Sequence, residues 1–180
     1  MHVSIRGVTR QDKAIFLEAA QRSPELHTPW VDAPCTEQAF DQYVEVYSQP
    51  THRSYLVFSE HGVLVGVFNI SAIVRGLFQS AYLGFYAFSN VSAKGCMAAG
   101  LKLVLKEAFE VLKLHRLEAN IQPDNMSSIY LVKSNHFHKE GHARGYLFID
   151  NEWRDHERWA LTHEDWKQEL GATTYQVVRK

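Results

Sequence analysis

The stretch from Tyr82 to Ser128 decides the fold: YLGFYAFSNVSAKGCMAAGLKLVLKEAFEVLKLHRLEANIQPDNMSS. Its opening run, YLGFYAF, is aromatic and apolar, which is typical of a buried strand. Apolar residues then recur at spacings of three and four from Met97 to Leu112, which predicts a helix with one apolar face. The segment HRLEANIQ predicts a second strand. Strand, helix and strand in this order predict a crossover connection within one sheet.

A short polar loop, Ser89 to Gly95, joins the first of these strands to the helix. Gly95 can adopt positive φ, or let a ligand approach the main chain where a Cβ would obstruct it. The free N–H groups and the dipole of a helix N-terminus favour a phosphate or pyrophosphate there, and Lys94 adds a positive charge. The loop matches neither GxxxxGKS/T nor GxGxxG. A phosphate site and a turn without a ligand are therefore both open on these residues alone.

The remaining segments predict further helices and strands. An opening strand, HVSIRGV, precedes a helix from Gln11 to Gln21, and Thr36 caps a second helix. SYLVFS and VLVGVFNISAI predict one antiparallel hairpin, and YLFIDNEWRDHERWALT predicts another that turns at about Asp150 to Glu152. Asp124 or Asn125 caps a short helix before this last hairpin. These elements predict an α+β protein with a sheet of mixed strand direction.

Length and composition limit the functional classes. The chain has 180 residues, 46% of them hydrophobic, and a net charge of −1, so we expect a single domain over residues 1–180. No long basic run favours direct nucleic-acid binding. The N-terminus lacks a signal-peptide pattern, and no apolar stretch approaches the roughly 18 residues of a membrane helix, so we expect a cytoplasmic protein. Cys35 and Cys96 form no CxxC motif, so we expect reduced thiols.

Two longer segments resemble a known family. They are LKLHRLEANIQPDNMSSIYLVKSNHFHKEG, residues 112–141, and YLFIDNEWRDHERWALTHEDW, residues 146–166. With the order of elements, they resemble the GNAT N-acetyltransferases, especially the branch that includes ribosomal-protein N-terminal acetyltransferases. The resemblance implies a three-layer GNAT-type acyl-CoA N-acyltransferase fold, with a central, mostly antiparallel sheet flanked by helices. It also implies that acetyl-CoA is the cosubstrate.

The resemblance places the coenzyme diphosphate at the loop before the long helix. The family's loop has Gln or Arg, then Gly, then Gly or Ala, at the positions that Ser92, Gly95 and Met97 occupy here, and only the glycine matches. Lys94 and Cys96 belong to the same predicted site. The serine removes a long side chain from the pyrophosphate rim.

The resemblance places the pantetheine arm further along the two strands. Asn125 and Ser128 match the family's Asn-x-x-Ser helix start, where the amide meets the pantetheine arm and the hydroxyl lies near the sulfur. Main-chain N–H groups of Phe85 and Tyr86, freed by a bulge or splay, are expected to pair with pantetheine amides and to polarise the acetyl carbonyl.

Three residues are predicted to handle protons. Ser128 is the expected proton donor to the coenzyme A sulfur, with Tyr130 as a less well aligned substitute, although Ser128 could also be only a helix-start residue. Glu118 is the predicted general base, acting through water. Strand alternation puts Glu118 and Asn120 on one face, and the sequence does not say whether that face lines a cleft.

Trp30, Tyr82 and His156 are predicted to shape the acceptor site, and simple packing is the alternative for each. Relatives in the ribosomal branch often carry a glutamate where this chain has Tyr82. A Cys96 nucleophile, assisted by His115 or His156, is a weaker alternative. A metal site is not expected, although three histidines have suggestive spacing: His136, His138 and His142.

The predicted function is direct transfer of acetyl from acetyl-CoA to the N-terminal α-amine of a protein, with a ribosomal protein favoured by the resemblance. Acetylation of a small amine, such as a polyamine, an amino acid or an antibiotic, is the alternative. A catalytically silent acetyl-CoA-binding module is a third possibility, because a fold does not fix function. The protein is expected to act as a monomer or homodimer, without nucleic acid or membrane.

Overall fold

One mixed sheet organises the part of the chain that the structure describes. The computed structural model describes residues 2–88 and 95–169. Its strands are β1 (Val3–Gly7), β2 (Arg53–Ser59), β3 (Leu64–Val74), β4 (Ser80–Ala87), β5 (Arg116–Ile121), β6 (His138–Ile149) and β7 (Glu152–Thr162). They lie in the order β1-β2-β3-β4-β5-β7-β6.

Helices cover both faces of this sheet. They are α1 (Lys13–Gln21), α2 (Pro24–His27), α3 (Glu37–Tyr47), α4 (Cys96–Lys106), α5 (Met126–Lys133) and α6 (His163–Glu169). The helix predicted to run to Leu112 changes at Glu107 into a π-helical segment that ends at Val111. None of the helices in residues 2–88 and 95–169 is long and apolar enough to cross a membrane.

Strand direction changes at one place, between β4 and β5. These two strands are parallel, and every other neighbouring pair is antiparallel. The predicted α+β fold with a mixed, mostly antiparallel sheet is therefore confirmed. The paired positions of β4 and β5 run only from Ser80 with Arg116 to Tyr82 with Glu118. Beyond Tyr82, residues of β4 no longer pair with residues of β5, so the sheet opens between these two strands.

Two apolar clusters make the fold three layers deep. One cluster lies under α4, α5 and α6, and it includes the fully buried Leu101, Val104 and Leu105 of the predicted helical face. The other lies under α1 and α3, with Phe16 and Phe40 at its centre. Burial of these side chains on both faces stabilises the sheet and holds the opening between β4 and β5 in place.

Two glycines bring α4 close to the sheet. A Cβ on Gly100 would lie 2.8 Å from Cγ1 of Val57, and a Cβ on Gly66 would lie 2.3 Å from Sδ of Met97. Side chains at these two positions would hold the helix further out. The close approach sets the N-terminus of α4 beside the C-terminal half of β4.

The predicted helix caps are confirmed. The Ala39 N–H donates to Oγ1 of Thr36 at 3.2 Å, and the Ser128 N–H donates to Oδ1 of Asn125 at 3.1 Å. Two boundaries differ from the prediction. The loop after α1 contains the short helix α2, and β6 begins at His138 rather than near Tyr146, because its pairing with β7 extends along the whole strand.

Candidate active site

A cavity of about 650 Å³ lies where β4 and β5 separate. Leu83 to Ala87 form one wall, and Asn120 to Gln122 form the other. In a continuous sheet, alternate main-chain groups of each strand would pair across this gap. Here those groups lack a strand partner, so they can hydrogen-bond to an extended, amide-bearing ligand. The predicted splay is present in the structure, and Phe85 and Tyr86 both line the cavity.

The first turn of α4 forms a second side of the cavity. Gly95 has φ of 84°, in the left-handed region that favours glycine. Gly95, Met97 and Ala98 line the cavity, so the N-terminus of α4 lies at its edge. The other predicted loop residues, Ser92 and Lys94, lie outside the described residues.

The start of α5 contributes polar side chains. Asn125, Ser128 and Tyr130 line the cavity, and Ser128 is partly buried. Since Oδ1 of Asn125 accepts the Ser128 N–H, the amide nitrogen of Asn125 is left to donate to a ligand. Tyr130 is 74% exposed, so its hydroxyl is less constrained than that of Ser128.

The segment 24–31 closes the cavity from the other face of the sheet. Nε2 of His27 donates to the carbonyl of Ala87 at 2.9 Å, because that oxygen can only accept. Nε2 of Gln122 donates to the carbonyl of Pro29 at 3.2 Å. The segment is thereby attached to both separated strands, and Trp30 lies in the cavity wall as predicted for an acceptor-facing residue.

His156 of β7 is the only His, Lys or Arg side chain among the described residues of the cavity wall. It is 2% exposed, and Nδ1 lies 3.0 Å from the carbonyl oxygen of Arg154. Burial lowers the pKa of His156 below its usual 6.5, while the Arg154 carbonyl and the charge of Asp155 oppose this shift. The imidazole is therefore neutral at pH 7.

Comparison with known proteins now identifies the family. The sequence model described as "Acetyltransferase (GNAT) domain" matches residues 2–138. The chain belongs to this family. The predicted GNAT membership is confirmed, and GNAT acetyltransferases use acetyl-CoA as the acetyl donor.

Individual relatives agree with this assignment. The ribosomal protein uS5-alanine N-acetyltransferase of Escherichia coli (strain K12) is 40% identical over 103 residues, which are 57% of this chain and 53% of that protein. The chain spans about half the length of the curated relatives it matches.

Two solved GNAT structures share the fold. Mycobacterium smegmatis RimJ in complex with CoA-disulfide has a TM-score of 0.82 at 24% identity, covering 90% of this chain and 82% of that one. Spermidine N-acetyltransferase from Vibrio cholerae in complex with CoA and spermine has a TM-score of 0.77 at 16% identity, covering 91% and 97%.

Three predicted site residues of this GNAT protein lie outside the cavity wall. Glu118 pairs with Arg116, whose Nε lies 2.9 Å from Oε1, and with Arg158, whose guanidinium lies 3.7 Å from Oε2. Glu118 is thus paired with two arginines outside the cavity wall, and its role as the base stays a prediction. The Cys96 side chain is 3% exposed in the core, and Tyr82 lies at the base of the opening, opposite Glu118.

Phe85 and Tyr86 differ in their surroundings although they are neighbours. Phe85 packs towards the α4 face, while Tyr86 lies edge-on to His27 with ring centroids 5.2 Å apart. Burial raises the pKa of Tyr86 well above 10, and the nearby Tyr43 and Tyr47 add to this. Tyr86 is therefore protonated at neutral pH and is not a base.

The sequence analysis missed several residues of the cavity wall. Asn120 and Gln122 continue the alternation that begins at Glu118, so period-two spacing could have indicated both. Oδ1 of Asn120 is buried without a hydrogen-bond partner in the described residues, so it can accept from a ligand. No local signal marks His27, because its partner Ala87 is distant in sequence.

The three histidines with metal-like spacing do not assemble. Nε2 of His142 lies 2.9 Å from Asp155, and Nδ1 of His136 lies 3.9 Å from Glu169. Among residues 2–88 and 95–169, no group of three or more His, Cys, Asp or Glu side chains could hold a metal ion.

Proposed function

We propose that the protein transfers the acetyl group of acetyl-CoA to the N-terminal α-amine of a protein, with a ribosomal protein as the favoured acceptor. The observation that carries this proposal is the opening between β4 and β5, with the first turn of α4 on one side and the anchored segment 24–31 on the other. Such a cavity accommodates an extended thioester and an amine that approach from opposite faces of the sheet.

The coenzyme end of the cavity is formed by main chain. The N–H groups at Gly95 to Met97 would hold the diphosphate, since a helix N-terminus favours an anion. Main-chain groups of β4 that face the opening, those of Phe85 among them, would hold the pantetheine amides together with the amide nitrogen of Asn125. The same strand would supply an N–H group to the acetyl oxygen as negative charge develops there.

Acetyl transfer requires few further groups. The neutral amine forms a C–N bond to the thioester carbon, the C–S bond breaks, and its electron pair leaves with the sulfur. Ser128 would donate the proton that the thiolate takes up, because its hydroxyl lies in the cavity wall at the start of α5. Tyr130 is the more exposed substitute.

The charge of the cavity supports a peptide acceptor over a polyamine. Glu25 is the only Asp, Glu, Lys or Arg side chain among the described residues of the cavity wall. Leu26, Trp30, Leu147 and Ile149 are apolar neighbours in that wall. One carboxylate can bind one ammonium group, whereas a polyamine with several charges needs several carboxylates. The E. coli relative, which is named for an alanine of ribosomal protein uS5, also supports this acceptor class.

A small amine is the second candidate. The fold it shares with a spermidine N-acetyltransferase supports this alternative, although the identity is only 16%. A panel of acceptors separates the two. Peptides with a free N-terminus, the same peptides with a blocked N-terminus, spermidine and spermine are incubated with acetyl-CoA, and the release of coenzyme A thiol is measured.

The proposal expects one acetyl group on the α-amine of the free peptides, located by mass spectrometry, and none on the blocked ones. Faster transfer to spermidine than to any peptide would contradict the peptide assignment. Binding of acetyl-CoA without transfer to any amine would support the silent module instead.

A further inference from the structure

His156 has the surroundings of a proton acceptor. It lines the cavity from β7, its side chain is 2% exposed, and its ring lies 5.8 Å from that of Tyr146 on β6. A buried histidine needs a structural reason or a functional one. In the described residues, only one of its two ring nitrogens, Nδ1, has a hydrogen-bond partner.

Hydrogen bonding fixes the tautomer of this imidazole. The Arg154 carbonyl can only accept, so Nδ1 of His156 carries a proton and donates to it at 3.0 Å. Within residues 2–88 and 95–169, Nε2 has no hydrogen-bond partner. It is also not one of the fully buried polar atoms that lack a partner, so it is accessible. Because the residue lines the cavity, we infer that Nε2 faces it. The lone pair of the neutral imidazole is thus available there.

We propose that Nε2 of His156 is the general base, which takes a proton from the acceptor ammonium before the amine attacks the thioester. This inference rests on the proposed acetyltransferase function. It replaces Glu118, whose carboxylate is held by Arg116 and Arg158.

The proton balance is complete with the groups present. One ammonium proton moves to Nε2 of His156, and the neutral nitrogen then bonds to the acetyl carbon. As the C–S bond breaks and its electron pair leaves with sulfur, the second nitrogen proton passes through Ser128 or water to the thiolate, which leaves as the coenzyme A thiol. His156 returns its proton to solvent after the product leaves. No oxidant, reductant or metal takes part.

Ionisable groups from other elements also face this part of the cavity. They are Glu25 from α2, Tyr86 from β4, Tyr130 from α5 and Tyr146 from β6. Burial lowers the pKa of His156 below 6.5, and Asp155 beside it on β7 opposes this shift. The burial effect is the larger one, so His156 is unprotonated when substrate binds at neutral pH.

The test replaces His156 by asparagine. The Asn side-chain N–H₂ occupies the place of Nδ1 and can still donate to the Arg154 carbonyl, while Nε2 is removed. We expect kcat/KM to fall by about 10² to 10⁴-fold, the range for loss of a general base, with the acetyl-CoA dissociation constant changed by less than about twofold. The acid limb of the wild-type pH profile of kcat/KM should disappear. His142→Asn, on the same hairpin but exposed and paired with Asp155, is the matched control.

Three outcomes decide the proposal. In the first, the wild type transfers acetyl, and His156→Asn keeps a rate within about threefold and the same acid limb of the pH profile. This result overturns His156 as the base and leaves the proposed function standing. Absence of transfer by the wild type to every amine overturns the proposed function, and the base with it. If His156→Asn does not fold, His156→Ala is assayed with added imidazole. Rescue of the rate by imidazole supports His156 as the base. Failure of rescue in a variant that folds and binds acetyl-CoA refutes it.

Discussion

Replacing Gly66 by alanine should disturb the coenzyme end of the cavity. A Cβ at this position would lie 2.3 Å from Sδ of Met97 and 2.8 Å from the main-chain oxygen of Tyr86. The methionine can move, but the carbonyl belongs to β4, which is paired with β3 along its length. Relief therefore requires a shift of the cavity strand or of the first turn of α4, and both form the predicted coenzyme site.

The size of the effect follows from the overlap. Overpacking of a well-packed core costs about 1 to 3 kcal/mol. For a chain of this length each kcal/mol lowers the melting temperature by roughly 2 to 4 °C, so we expect a drop of about 2 to 12 °C. If a displacement of the coenzyme site absorbs a third to a half of this strain, acetyl-CoA binding should weaken by up to about 1.4 kcal/mol. The dissociation constant of acetyl-CoA should then rise by up to about tenfold.

Thermal melting and calorimetric titration with acetyl-CoA measure these two quantities. Gly141→Ala is the control, because no atom lies within 4 Å of its added Cβ and its φ is not in the left-handed region. We expect this control to melt within about 1 °C of wild type. A Gly66→Ala protein with the wild-type melting temperature and the wild-type affinity would refute the packing that sets α4 against the cavity.

Three further predictions test separate parts of the site. Gly95→Glu should abolish detectable acetyl-CoA binding in the same titration, since it strains a φ of 84° and puts negative charge at the diphosphate position; unchanged affinity would remove the loop from the site. Ser128→Ala should lower kcat by about tenfold or more while acetyl-CoA affinity stays close to wild type; equal losses would make Ser128 a binding contact. Burial lowers the pKa of His156 in the folded protein below the value of about 6.5 in the unfolded chain. As the pH falls from about 6.5 towards the pKa of the folded state, the unfolded chain binds a proton that the folded protein does not, so the free energy of unfolding decreases. Denaturant titrations should therefore show that acidification from pH 7.5 to 5.5 reduces the stability of wild type more than that of His156→Asn, and equal losses would contradict burial of the imidazole.

The crossover could be predicted from sequence because its signals are local. The spacing of Leu101, Val104 and Leu105 predicts the buried face of α4, and all three are fully buried. A positive φ was one of two reasons considered for a glycine at position 95, and Gly95 has one. Asp124 or Asn125 was expected to cap α5, and the side chain of Asn125 does so.

The acceptor side of the cavity depends on contacts between distant residues, which local patterns do not encode. Alternation put Glu118 on a face but could not show that Arg116 and Arg158 pair with it there. His156 meets Tyr146 only when β6 and β7 pair, and it joins the cavity wall only when β7 pairs with β5. The sequence analysis therefore placed His156 at the acceptor site without its proposed role.

A crystal structure of the protein with coenzyme A tests the central claim most directly. The account predicts the diphosphate at the N–H groups of Gly95 to Met97 and the pantetheine arm between β4 and β5, with its sulfur near Ser128. Coenzyme A bound elsewhere on the surface, with the opening between these strands left empty, would contradict it.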